Sequence, residues 1–131
     1  MLTQEDFKYL DSVIKDIIKQ SKDLTRIYIS GPVSKYNDDN YAFKIFNNKE
    51  QELQKLYNKE QDYVYIINPT KINMALPSYN KGTLDWGDFM CVDMMLLSLC
   101  DKIHMLNGWQ ESSGATFEYK YAKLNYIKIV E

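Results

Sequence analysis

The strongest constraint in this sequence is an alternation. Four short runs rich in β-branched and aromatic residues stand at 26–30 (RIYIS), 63–67 (YVYII), 102–106 (KIHML) and 126–130 (YIKIV). Between them, apolar residues recur at helical spacing over 40–57, 85–100 and 114–124, with Phe43, Phe46, Leu53 and Leu56 on one side of the first stretch. A further helix is predicted before the first strand. There Phe7, Leu10, Ile14, Ile17 and Ile18 recur over 3–21, behind a Thr3–Asp6 capping-box signal.

Strand, helix, strand, helix, strand, helix, strand predicts a parallel sheet covered by helices on both faces. The expectation is an α/β, three-layer flavodoxin- or Rossmann-like domain. Right-handed crossovers favour a four-stranded sheet of order 2-1-3-4, with residues 1–22 as an added N-terminal helix. At 131 residues the chain suits one domain, and such a length buries about two-thirds of its unfolded surface. In that order the topological switch lies between the first and third strands, where open α/β sheets bind ligands at the strands' carboxyl ends. The loops 31–39 and 107–113 flank it. The stretch 68–84, holding Pro77 and Gly82, is read as a long polar loop of the kind that serves as a lid or binding segment.

Charge and residue usage remove several function classes. Sixteen Lys and Arg against 18 Asp and Glu leave no basic stripe, which points away from nucleic acid as a partner. No apolar run approaches the roughly 18 residues that a membrane span needs, and residues 1–24 carry charge throughout. An intracellular, cytoplasmic domain without a membrane partner is expected. Cys91 and Cys100 lie nine residues apart on one predicted helix, so at about 100° per residue they point to opposite sides and cannot bridge. No CxxC or Cys/His cluster offers a metal site, and His104 is the single histidine. A Cys–His pair with His104 is conceivable, but core thiols and a strand histidine are the favoured reading. Chemistry is therefore left mainly to carboxylates, hydroxyls and backbone amides.

No GxGxxG or GxxxxGK[ST] is present, so neither a standard dinucleotide fingerprint nor a P-loop is indicated. Ser112, Ser113 and Gly114 open a helix, where hydroxyls and free N–H groups make a small anion site; the alternative is a plain N-cap. Asp93 has Phe89, Met90, Leu96 and Leu97 as helical neighbours, so it is no solvated-face residue. It is either a carboxylate satisfied by an amide or a Tyr hydroxyl, or an acid tuned by an apolar wall to donate a proton. Glu118 follows Gly114 and Ala115 with room beside it and no Lys at i+4; a Glu favoured by the helix dipole is the alternative. Tyr28 is an inward strand residue, core or site. Of the two tryptophans, Trp109 in the loop beside the switch point is the better candidate to stack on a flat ligand, and Trp86 the lesser.

The segments IYISGP at 27–32, WGDFMCVDMMLLSLCDKIHML at 86–106 and NGWQESSGATFEYKYA at 107–122 resemble the nucleoside 2-deoxyribosyltransferase-like superfamily. Within it the likeness is to the small DUF4406 branch, related to deoxynucleoside 5′-monophosphate N-glycosidases. That branch typically reads W-x-x-[YF]-M-x-x-D, then CD-x-[IV], then GWxxSxGAxxE. The resemblance covers most of 26–131 and leaves helix 3–21 outside. It implies Glu118 as nucleophile, Asp93 as the acid near the nucleobase and Tyr28 as the residue orienting the nucleophile. It also implies substrate or phosphate contacts from Ser30, Gly31, Pro32, Lys35, Ser112, Ser113 and Gly114, with Trp109 beside them. Where some relatives place an Arg after the first strand, this chain reads Val33–Ser34–Lys35–Tyr36, so Lys35 supplies a point charge but no planar fork.

Two functions follow as expectations. One is an N-glycosidic bond hydrolase or (deoxy)ribosyl transferase acting on a nucleoside or nucleoside 5′-monophosphate, needing no cofactor or metal. The other is a non-catalytic module that captures a nucleotide-derived ligand in the same crevice, as a sensor or sponge. The Glu118–Asp93 pair favours the first, which requires the two carboxyls to meet across one cleft with a sugar-sized gap between them. The relatives' habit of sharing sites between subunits implies a homo-oligomer.

Overall fold

The computed structural model describes residues 1–33 and 38–131. Its sheet is built of β1 (Thr25–Ser30), β2 (Val64–Ile67), β3 (Lys102–Met105) and β4 (Lys128–Val130), all parallel, in the order β2-β1-β3-β4. This is the order the alternation predicts. The described residues also form α1 (Gln4–Gln20), α2 (Asp39–Lys59), α3 (Pro69–Met74), α4 (Trp86–Leu97) and α5 (Ser113–Leu124).

The two-residue period of β1 divides the core. Ile27 and Ile29 face Phe46, Leu53 and Tyr57 of α2. Tyr28 joins the opposite cluster, which Leu10 and Ile17 of α1, Val92 and Leu96 of α4, and Ala115 and Ala122 of α5 complete. The added N-terminal helix thus packs into the core of its own chain. Its Thr3–Asp6 capping box forms as expected, but Asp6 is itself fully buried. The Asp6 carboxylate accepts from Thr3 N and Oγ1 at 2.8 and 2.9 Å, and from Ser78 N and Oγ at 2.9 and 2.6 Å.

The structure corrects several boundaries. The stretch 68–84 is not one loop: it contains α3 and a 3-10 turn, Tyr79–Lys81. Asn68 caps α3, accepting from Thr70 N at 3.1 Å and Thr70 Oγ1 at 2.6 Å, while Pro69 takes the first-turn position where its missing N–H costs nothing. Helix α4 stops at Leu97, and Leu99 and Cys100 close it with bonds to the Leu96 and Leu97 carbonyls. Strand β4 starts at Lys128 because Tyr126 sits at φ 58°, outside the extended region. A second 3-10 turn, Trp109–Glu111, follows Gly108, whose φ of 83° suits the left-handed turn after β3.

Of the two thiols expected in the core, only Cys100 is buried; Cys91 is exposed. Burial pushes the Cys100 thiol up to about 12, and its Sγ contacts the Leu96 carbonyl. Burial, aided by Lys49 and Lys102, lowers His104 to about 4, and its Nε2 lies 2.9 Å from the Tyr57 hydroxyl. Neither group has the charge or the partner that nucleophilic thiol chemistry needs. No helix among the described residues is long and apolar enough to cross a membrane.

Candidate active site

Because β1 alternates, Tyr28 and Ser30 project to the same face two residues apart, toward α5. Glu118, in the second turn of α5, is buried where both reach it. The Tyr28 hydroxyl donates to Glu118 Oε2 at 2.5 Å and the Ser30 hydroxyl donates to Oε1 at 2.6 Å. One carboxylate is thus held at both oxygens by two hydroxyls of one strand. Ser30, expected at the phosphate, instead spends its proton on Glu118.

Asp93 of α4 lines the same cavity as Glu118, near enough for each carboxyl to shift the other's titration. On its other side Asp93 Oδ1 accepts from Asn73 Nδ2 at 2.8 Å, a residue of α3 that sequence reasoning missed. Burial pushes Asp93 up to about 7, against the hydrogen bonds from Asn73 and Glu118. Burial also holds Glu118 well above the usual carboxylate range. The neighbouring Asp93 charge adds to this, and the Ser30 and Tyr28 hydroxyls oppose it. Two neighbouring carboxyls, Glu118 buried and Asp93 partly so, do not both ionise cheaply, which favours a retained proton around neutrality. Tyr28 is raised well above its ordinary value by burial and by these two charges, and it stays a donor.

The pair forms the polar floor of a cavity of about 310 Å³. Its walls are apolar: Phe46 of α2, Met74 of α3, and Trp86, Phe89 and Met90 of α4. Asp39 and Tyr79 bring polar groups to it, and the Tyr79 hydroxyl donates to the Asp39 carboxylate. The cavity lies at the carboxyl end of β1, beside the predicted switch point. Gly31 lines it, and a Cβ there would come within 2.7 Å of the Leu106 side chain, so close approach demands glycine. Gly114 also lines it and admits Met90, whose Sδ would lie 3.3 Å from an added Cβ.

The remaining expected contacts divide. Ser112 lines the cavity but is also the N-cap of α5, its Oγ accepting from Ala115 N at 3.2 Å. Ser113 is exposed, and neither it nor the buried Pro32 is among the lining residues. Trp109 stacks on Tyr119, ring centroids 4.4 Å apart, and is not among them either; Trp86, the lesser candidate, is. Lys35 lies outside the described residues.

A family model, "Domain of unknown function (DUF4406)", matches residues 25–131. The chain belongs to the DUF4406 family. The match takes in every side chain of the acid pair and its hydroxyl donors, and it leaves α1 outside. No curated protein and no solved structure matches the DUF4406 chain.

Proposed function

We propose that this DUF4406 protein cleaves an N-glycosidic bond in a nucleoside or nucleoside 5′-monophosphate. The sugar passes to water or to a second base, as the resemblance to nucleoside 2-deoxyribosyltransferases implies. One observation carries the proposal: a buried Glu118, gripped by Tyr28 and Ser30, lines an apolar cavity together with Asp93.

A pair holding one proton contains the two groups this reaction needs. With the retained proton moved to Asp93, the ionised Glu118 attacks the anomeric carbon while the carbon–nitrogen bond breaks and its electron pair leaves with the base. Asp93 gives its proton to that base. Water or an acceptor base then displaces Glu118 from the sugar, returning a proton to Asp93. The hydroxyls of Tyr28 and Ser30 orient Glu118 and stabilise its charged form. The apolar walls suit a flat base, with both carboxyls lining the same cavity. Ser112, Gly31 and Lys35 remain the candidates for a 5′-phosphate, and a homo-oligomer remains part of this reading.

The test is incubation with a panel of deoxynucleosides and 5′-monophosphates, followed by chromatography for free base. Release that disappears in Glu118→Ala supports the enzyme. Tight binding without release overturns it and leaves a ligand-capturing module.

A further inference from the structure

We propose that Asn73 is a positioning residue for Asp93, its side-chain amide fixing the orientation in which that carboxyl faces Glu118. The inference deepens the function proposed above and rests on it for its kinetic arm.

Three observations carry it. First, Asn73 Nδ2 donates to Asp93 Oδ1 at 2.8 Å across the gap between α3 and α4. Second, Asn73 Oδ1 is buried without a hydrogen-bond partner. A residue present only to pack would not carry that cost, since a leucine of similar size would fill the space and leave no acceptor unsatisfied. Third, α3 and its cap are fastened from two sides, by α1 and by α2. The Tyr9 hydroxyl of α1 donates to the Ile72 carbonyl at 3.0 Å, Lys71 pairs with Glu50 of α2 at 3.0 Å, and Asn68 Nδ2 donates to Glu50 at 3.2 Å. A two-turn helix gains little from such fastening unless a side chain on it must be placed.

The consequence is chemical. A donor to Asp93 favours its charged form, and the ionisable groups facing it are Glu118 from α5 and Tyr28 from β1. Asn73 therefore biases how the retained proton is divided between the two carboxyls, and it keeps Asp93 from turning into the cavity.

Carbon-13 NMR of the aspartate carboxyls in the full chain, without substrate, provides a readout independent of turnover. In Asn73→Leu the Asp93 midpoint rises by about one pH unit, and in Asn73→Asp, which adds a like charge, it rises further. With an active protein, kcat for base release falls about tenfold in Asn73→Leu while KM changes little, a fraction of the 10²–10⁴ that a positioned acid supplies. The descending limb of the pH profile, where Asp93 loses the proton it must give, follows the NMR midpoint. An unmoved Asp93 midpoint in whichever variant folds, checked by circular dichroism, overturns the proposal. A shifted midpoint with no base release from the wild-type protein upholds Asn73 and refutes the glycosidase reading instead.

Discussion

Asp6 grips Ser78 from 72 residues away, its carboxylate taking both the backbone N–H at 2.9 Å and the hydroxyl at 2.6 Å. Thr3 supplies two more donors to the same group. Burial alone would raise this carboxyl, yet the bonds from Ser78 and Thr3 outweigh it and hold Asp6 at about 2. Asp6→Ala removes a helix cap and strands the Ser78 donors, so urea denaturation at pH 7 should show a loss of about 3 kcal/mol. The folded-state value lies below the unfolded one, so this stabilisation is complete above about pH 4. It fades as pH falls toward 2, where wild type and Asp6→Asn should converge.

The acid pair has the opposite sign. Asp93 is raised from 3.8 to about 7 and Glu118 is raised as well, so the folded state binds more protons than the unfolded chain between those values. Stability contributed by the pair is present below about pH 4 and declines as pH rises toward 7. Glu118→Gln should flatten that decline and raise stability at pH 8 by on the order of 1–2 kcal/mol, read as a higher Tm. An enzyme that gains stability and loses base release together in this variant shows the trade expected of a strained site.

Gly31→Ala tests the close approach at the end of β1. The added methyl meets the Leu106 Cβ and Cδ1 at 2.7 Å, and the Cβ cannot swing aside. An overpacking cost of about 1–3 kcal/mol is expected, with a displaced Leu106 visible in a methyl NMR spectrum.

His104 should titrate near pH 4 in a histidine NMR experiment, burial being the main reason. Its depressed value means that His104 contributes stability above about pH 6.5 that is lost as pH falls through 4. Tyr57→Phe removes the hydroxyl that meets His104 Nε2 and should cost about 1 kcal/mol without affecting base release, since Tyr57 and His104 sit on the α2 side of the sheet.

The layer order and the strand neighbours were legible in the alternation and in the period of two in 26–30. The local signals left Tyr28, Asp93 and Glu118 with structural readings open, and their grouping in one site was implied only by the family resemblance. Asn73 was not legible, because an asparagine in a polar stretch carries no periodicity, and its role exists only once α3 faces α4. The signal for α3 itself was available in Asn68–Pro69, a cap followed by a first-turn proline, which reads equally as a strand ending. The burial of Asp6 was hidden for a similar reason. A capping-box aspartate is ordinarily solvated, and only the arrival of Ser78 seals it. Trp109 misled because Tyr119, ten residues on, is one loop and one helical turn away and takes its ring face.

The family match opens at residue 25, whereas Asp6 and Tyr9, the anchors of Ser78 and Ile72, precede it. A helix outside the family match thus fastens the segments that carry Asn73 and Tyr79 to the cavity wall. Evolution can retune such a pocket from a distance, stiffening or slackening it through the leading helix while the acids stay unchanged.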